Sequence, residues 1–507
     1  MKRTTGFEVS VATALADQSL QRALADVPAG FVAARAQAKA ALPEFEALRR
    51  TGRDIRDYTL AHLDLYLEAF EANAIRAGSA VHWAATSEEA CGIILGICRQ
   101  AGARVVAKSK SMVSEEIGLR PRLQEAALDV VETDLGEYLI QIRGETPSHI
   151  IAPAIHLRAG DVADEFRRHH GHLARERDLS APEALVAEAR GVLREKFLAA
   201  EVGITGANFL VAETGSAIVV TNEGNADLTM SLPKVHIVLA SIDKIVPTLA
   251  DAWPLLRLLA RSATGQEFTA YTTLVTGPRR PGDVDGPAAC HVVIVDNGRS
   301  ELLASELRPV LRCIRCGACM NHCPVYCTIG GHAYGSVYPG PIGAVLSPAL
   351  AGVADAGHLP QASTFCGRCE EVCPVEIPLV SLMRHWRQVA LAEPASWRDR
   401  TLLRVWALLA LRPRAYALAA RMLARTLRLM GHTSGRLRTL PFAGRWTRHR
   451  DLPAPQGATF QQLWTRRSRG RHHEPRPHSR RYPRHARCRD QHCRAASERD
   501  RAPGAAD

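Results

Sequence analysis

One run of cysteines limits this chain more than any other feature. Cys313-Ile-Arg-Cys316-Gly-Ala-Cys319-Met-Asn-His-Cys323-Pro324 is a complete C-x2-C-x2-C-x3-C-P sequence. A second run, Cys366-Gly-Arg-Cys369-Glu-Glu-Val-Cys373-Pro374, follows. Three thiolates at this spacing on one loop reach three irons of one cubane, and the fourth, beyond a short turn and followed by proline, ligates the neighbouring cluster. Structural zinc prefers paired C-x-x-C units that close one tetrahedron, which fits a three-cysteine run with two C-P endings poorly. The spacing predicts iron–sulfur chemistry.

The crossover assigns Cys313, Cys316, Cys319 and the distant Cys373 to cluster one, and Cys366, Cys369 and the distant Cys323 to cluster two. The remaining ligand of cluster two belongs three residues before Cys366, where Ser363 stands. Three outcomes are open: a three-iron cluster, a four-iron cluster with a non-cysteine ligand, or recruitment of Cys327. Cys327 reads as a buried free thiol, as do Cys91, Cys98 and Cys290 in their apolar surroundings. Cys488 and Cys493 lack a second pair and form a weak zinc candidate. The Gly- and Tyr-rich loop from Tyr326 to Gly343 offers amides and hydroxyls that could hydrogen-bond cluster sulfurs, or merely folds over them.

No signal peptide is legible, because Lys2 and Arg3 are followed by no apolar run. Val405 to Ala420, the best candidate for a membrane span, is interrupted by Arg412-Pro413-Arg414. The expected compartment is the cytoplasm, where clustered cysteines serve metal or redox chemistry before disulfides.

Five regions are expected. Residues 1–75 are Ala-, Leu- and Arg-rich with helical spacing, a packing layer. Residues 76–300 alternate short strands and helices. Ala80 to Ala84, Arg104 to Lys108, Leu128 to Glu132 and His149 to Ala152 read as strands, with helices opening at Ser87 and Ser111. Later come a hairpin (Asn208 to Glu213, Ser216 to Thr221) and strands at Val235 to Ser241, Tyr271 to Thr276 and His291 to Asp296. This rhythm argues for one α/β domain with a mixed sheet. Residues 301–390 form an α-helical two-cluster ferredoxin-like domain, and 391–464 a helical C-terminal region. Residues 465–507 form a disordered Arg-rich tail.

The tail holds thirteen arginines against five acids, +8 of the formal charge of +12. The body is therefore close to neutral, and nucleic acid is not an expected partner. In Ser396 to Arg448, Leu402, Leu403, Trp406, Leu409, Leu418, Met422 and Leu429 recur at helical spacing. Packing against the cluster domain or a partner is favoured over a basic amphipathic surface resting on the inner face of the membrane. Lys108, Ser109, Lys110 and Ser111 sit where a strand ends and a helix begins, and are candidate contacts to an anionic ligand; the bland reading is a solvated turn with Ser111 or Ser114 as a helix cap.

The chain shows no G-x-G-x-x-G after a strand, no G-x-x-x-x-G-K-[ST] and no H-E-x-x-H. Clusters without an organic cofactor signature point to one-electron relay.

Arg315-Cys316-Gly317-Ala318-Cys319, Cys323-Pro324-Val325-Tyr326 and Gly330-Gly331-His332-Ala333-Tyr334-Gly335-Ser336-Val337-Tyr338-Pro339-Gly340-Pro341 resemble the lactate utilization protein B family. Val81-His82-Trp83-Ala84-Ala85, Lys108 to Glu116, Glu132 to Tyr138 and Glu213-Thr214-Gly215-Ser216 resemble it too. The resemblance spans about residues 1–464. It implies an α/β domain like the sugar-isomerase and CoA-transferase superfamily, two 4Fe-4S clusters, and a second motif with only three cysteines. It further implies a role in oxidising L-lactate to pyruvate, allowing lactate use as carbon source. The implied partners are a cysteine-rich-domain subunit and a smaller subunit sharing the α/β domain. The chain would be a non-autonomous subunit of that oxidoreductase. The alternatives are an electron carrier for another 2-hydroxy acid oxidase, such as glycolate oxidase, or a redox-regulatory iron–sulfur protein.

Overall fold

Runs of β-branched and leucine side chains set the sheets. In chain order the strands are β1 (Ala80–Ala84), β2 (Val105–Lys108), β3 (Asp129–Glu132), β4 (Val202–Gly206), β5 (Phe209–Val211), β6 (Ser216–Thr221), β7 (Val235–Ser241), β8 (Ile245–Val246), β9 (Tyr271–Val275) and β10 (Ala289–Val295). The computed structural model describes residues 6–174, 176–392, 397–432, 434–440, 447 and 450–471. They fall into two units, Met1–Ser396 and Trp397–Asp507.

In the first unit a six-stranded sheet has the order β1-β10-β7-β4-β2-β3, with every pairing parallel. A second sheet, β8-β5-β6-β9, carries the expected hairpin: β5–β6 and β6–β9 are antiparallel, β5–β8 parallel. The mixed character read from the sequence is thus divided between two sheets.

The strands of the parallel sheet are apolar on both sides because helices cover both faces. On β7, Ile237 and Leu239 pack with Val106, Ile204, Val293 and the helix Ser87–Gln100, while Val238 and Ala240 pack with Phe70, Leu210, Val292 and Ile294. That helix is capped by Thr86, whose hydroxyl accepts the Glu89 N–H at 3.2 Å. The strand expected at His149 to Ala152 is irregular. His149 Nδ1 accepts the N–H groups of Ile151 and Ala152, each at 3.0 Å, so the side chain takes bonds a ladder would have used.

The N-terminal region is helical, including Phe45–Ala61 and Leu63–Arg76. Phe45, Leu48 and Leu60 share one core with Leu255, Leu258, Tyr326, Tyr334 and the cysteines Cys316, Cys323, Cys369 and Cys373. The cysteine motifs are therefore built into the main core of this unit.

The second unit holds the helices Trp397–Ala410 and Pro413–Met430, a short antiparallel pair (Arg436–Leu437 with Leu452–Pro453) and the helix Phe460–Arg471. Leu402, Leu403, Trp406, Leu418, Met422 and Leu429 are exposed. No helix among the described residues is long and apolar enough to cross a membrane. The expected tail begins inside the last helix, and from residue 472 onward, with Cys488 and Cys493, it lies outside the described residues.

Candidate iron–sulfur centres and an adjoining cavity

Each cysteine motif turns on the same device. Gly317 and Gly367 adopt φ of 73° and 80°, the left-handed region where only glycine is unstrained, and each opens a four-residue helix, Ala318–Asn321 and Arg368–Glu371. The reversal brings the flanking cysteines to one side.

The fold sorts the cysteines between two small cavities. One is lined by Cys313, Cys316, Cys319 and Cys373, together with Ile150 and Arg315. The other is lined by Cys323, Cys366 and Cys369, together with Ser363. Cys327 lines neither; its thiol donates to the Asn321 carbonyl at 3.3 Å.

The donor chemistry fits iron–sulfur clusters. Among the described residues no three of these sulfurs lie mutually within 4.8 Å. A run of three cysteines with a fourth from the other motif suits a cubane better than the paired C-x-x-C units that close one tetrahedral ion. Burial, and then the neighbouring thiols, push Cys316 and Cys369 up to about 12. Burial likewise pushes Cys373 to about 11, and Cys319 well above its ordinary value. Thiols so placed ionise only when a cation takes up their charge.

Surrounding groups hold the frame. Backbone N–H groups of Arg315 and Ile377 donate to the sulfurs of Cys313 and Cys373, each at 3.4 Å. Arg49 donates to the Cys373 carbonyl from Nε at 3.0 Å and Nη2 at 2.8 Å, and Arg35 donates to the Val372 carbonyl at 2.8 Å. Of the loop tyrosines expected near the sulfurs, two are engaged elsewhere. Tyr326 donates to the Ser148 carbonyl and Tyr338 to Glu116, both at 2.7 Å. The Tyr334 hydroxyl is buried without a partner among the described residues, and Cys323 and Cys319 are among the groups that raise its pKa after burial itself.

A buried charge network joins this region to the α/β domain. Arg299 pairs with Glu116 at 2.6 Å and with Asp243 at 2.8 Å, all three fully buried. Arg315 lies over the Tyr338 ring at 4.9 Å and stands 3.8 Å from Asp243.

At the carboxyl ends of β2, β3, β4 and β7 lies a cavity of about 360 Å³. Ser109, Lys110 and Ser111 follow β2, Asp134 follows β3, Ala207 and Asn208 follow β4, and Lys244 follows β7. Crevices at this end of parallel strands are the usual ligand sites of α/β folds. The cavity shares Ile150 and Arg315 with the first cysteine cavity.

Lys108 is not among the lining residues. It is the register partner of Glu132 across β2 and β3, and its ammonium is buried against Glu132 at 2.8 Å and Glu115 at 3.1 Å. Of the four residues expected to face a ligand, Ser109, Lys110 and Ser111 line the cavity and Lys108 does not. Among them, Lys110 donates to the Ile151 carbonyl, and Ser111 also caps the short helix Met112–Glu116 by accepting the Ser114 N–H at 3.3 Å.

Family models match the chain in three places: the LUD domain over residues 67–295, the 4Fe-4S dicluster domain over 309–377, and the C-terminal region of lactate utilisation protein B over 384–469. Lactate utilization protein B of Lysinibacillus sphaericus (strain C3-41) is 41% identical over 467 residues, covering 92% of this chain and 97% of the relative. The chain belongs to the lactate utilization protein B family. Another protein of that name, from Geobacillus sp. (strain WCH70), is 42% identical, covering 92% of this chain and 98% of its own. An uncharacterized electron transport protein, YkgF, of Escherichia coli (strain K12) is 43% identical, covering 90% and 95%. A crystal structure of a DUF162 family protein from Deinococcus radiodurans aligns with 46% of this chain and 98% of its own at 16% identity. Its TM-score is 0.27.

In this lactate utilization protein B family member all seven motif cysteines lie inside the dicluster match. Lys244, Asp134 and Glu223 were not singled out from the sequence as cavity residues. The signal available for Lys244 and Asp134 was position alone, since each follows a parallel strand.

Proposed function

We propose that this chain is the iron–sulfur electron-transfer subunit of a complex that oxidises L-lactate to pyruvate, so that lactate serves as a carbon source. The observation that carries the reading is the division of the cysteines between two cavities, each drawing on both motifs. It supports Cys313, Cys316, Cys319 and Cys373 as ligands of one 4Fe-4S cluster, and Cys323, Cys366 and Cys369 as ligands of the other. Ser363, which lines the second cavity where Cys327 does not, is the fourth ligand in this reading. One-electron transfer is the chemistry such clusters supply when bound.

The chain's own groups tune and secure these sites. N–H donation to the sulfurs of Cys313 and Cys373 withdraws charge from the thiolates and raises the reduction potential. The Tyr334 hydroxyl, without an acceptor among the described residues, does the same in this reading. Arg49 and Arg35 hold the chain at Val372 and Cys373, which carries a ligand of cluster one across from the second motif.

The names of the relatives support the substrate class and a multi-component system. The partners in this reading are a cysteine-rich-domain subunit and a smaller subunit with its own α/β domain, working in the cytoplasm. Anaerobic reconstitution tests it. The isolated, cluster-loaded chain should not turn over L-lactate with an artificial dye, whereas with both partners L-lactate should bleach its visible cluster absorbance. Turnover by the chain alone, or bleaching by glycolate in place of lactate, would overturn it.

A further inference from the structure

Two histidines and a glutamate converge away from the cysteines. Glu145 follows the helix Leu135–Arg143, His156 lies in the loop beyond it, and His332 opens the short turn His332–Tyr334 in the glycine-rich loop. One donor atom from each, a carboxylate oxygen and two ring nitrogens, lies within 4.8 Å of the other two. The rings of His156 and His332 meet edge to face with centroids 4.5 Å apart, and His156 Nε2 is 2.9 Å from Glu145 Oε2. None of the three lines either cysteine cavity.

Other partners hold the far side of each group. Arg143 donates to Glu145 Oε1 from Nε at 2.9 Å, which leaves Oε2 turned to the histidines. Against burial, hydrogen bonds from His156 and Arg143 hold Glu145 down to about 2, so it is a carboxylate at neutral pH. His332 Nε2 donates to the Thr146 carbonyl at 2.6 Å, and the other nitrogen of the neutral ring keeps its lone pair. The Ser148 hydroxyl donates to the Pro153 carbonyl at 3.0 Å and accepts from His156 Nδ1 at 2.9 Å, leaving Nε2 to face Glu145. Metal-binding histidines are oriented in this way, through the nitrogen that does not ligate. The seat is close-packed: a Cβ at Gly331 would come within 1.7 Å of the Ser148 carbonyl oxygen, so the loop carrying His332 rests directly on the chain between Glu145 and His156.

We propose that Glu145, His156 and His332 bind a divalent first-row transition-metal cation, separate from the clusters. Two imidazoles and one carboxylate form a set such ions take while keeping open positions. The group borders a cavity of about 430 Å³, also lined by Ser10, Asp17, Ser19 and Asp161, from which water completes the coordination. Glu145 and His156 lie within the LUD match and His332 within the dicluster match, so the ion ties the α/β domain to the cluster domain. With His332 exposed and three protein ligands, the ion exchanges, and chelator-washed protein carries cluster iron alone. The inference is independent of the lactate reading.

The competing account is a plain hydrogen-bonded set, with a proton on His156 Nε2 bridging to Glu145. Cobalt(II) separates the two. The anaerobic, cluster-loaded full chain, washed with chelator and dialysed against cobalt(II) chloride, should take up one cobalt per chain. X-ray absorption at the cobalt edge should show two imidazoles and no sulfur. His332→Gln and His156→Gln should each weaken uptake by about tenfold or more, since even the loss of an outer partner of a metal site costs that much. Cobalt should raise the urea midpoint of the parent and leave that of His332→Gln unmoved. Should a variant fail to fold, the cobalt-edge spectrum of the parent decides. No uptake, cobalt bound through sulfur, or uptake that both variants retain would overturn the proposal, and the electron-transfer reading would stand without it.

Discussion

Ser363 stands to the second cysteine motif as Cys313 stands to the first. The Ser363 hydroxyl accepts the Phe365 N–H at 3.2 Å, and the Cys313 sulfur accepts the Arg315 N–H at 3.4 Å. Both donors adopt left-handed backbone, φ 61° at Arg315 and 53° at Phe365, and each lies two residues before the glycine that turns its loop. The second motif thus has the local shape of the first, with the Ser363 hydroxyl where the first has the Cys313 sulfur.

With Ser363 as the proposed fourth ligand, cluster two should be the oxygen-sensitive one. Brief exposure to air should convert part of it to a three-iron form, seen by paramagnetic resonance, because an iron held by oxygen leaves more readily than one held by thiolate. Ser363→Cys should suppress the conversion and Cys327→Ser should leave it unchanged. Loss of cluster two in Cys327→Ser, with Ser363→Cys inert, would make Cys327 the ligand.

Metal content follows from the donor sets. Protein purified without air should carry about seven or eight iron atoms per chain, since the proposed assignment spreads seven cysteines over two cubane sites. Growth with excess zinc should not replace the iron, because the cysteine spacing suits cubanes rather than one tetrahedral ion. Stoichiometric zinc, or iron near four, would contradict the assignment.

The Glu116–Arg299–Asp243 network should be costly to break. Arg299→Met leaves two carboxylates buried without their cation, and such losses run to about 3–5 kcal/mol. Anaerobic urea unfolding followed by circular dichroism should show the midpoint falling far more than for a surface arginine such as Arg104. A midpoint like the parent's would mean the network carries little of the stability.

The β4–β7 register makes a pH dependence. His236 is fully buried against Thr205, at 2.8 Å, and burial pulls it from 6.5 to about 3. Between those values the unfolded chain takes up a proton that the folded chain refuses, so stability falls as pH drops below about 6.5. One such histidine adds a slope approaching about 1.4 kcal/mol per pH unit. His236→Gln should flatten the profile between pH 7 and 5 by part of that amount; an unchanged slope would show that His236 is protonated in the folded protein.

Much of this was legible beforehand, and the exceptions have physical causes. Val105-Val106, Val130-Val131 and Val292-Val293 are apolar runs flanked by helices, so parallel strands followed directly. The two-sheet division did not, because the Phe209–Thr221 hairpin is as apolar as the parallel strands. His149 to Ala152 looks like a strand until its own imidazole captures the backbone N–H groups. The spacing already suggested the grouping of the cysteines that the two cavities show, whereas Lys244 is an ordinary lysine in sequence, and only the fold sets it beside Arg315. Lys108 and Lys110 look alike in the chain, yet one lies within β2 opposite Glu132 and the other past its end.

The crossing of ligands between motifs is the centre of this account, and one pair of variants tests it most directly. Paramagnetic resonance and iron analysis of reduced Cys373→Ser and Cys323→Ser, each made anaerobically, should report opposite losses. Cys373→Ser should damage the cluster held by Cys313, Cys316 and Cys319, although it lies in the second motif, and Cys323→Ser should damage the cluster held by Cys366 and Cys369. If each substitution instead removes the cluster of its own motif, the ligands do not cross, and the division of the cysteines between the two cavities does not describe the loaded protein.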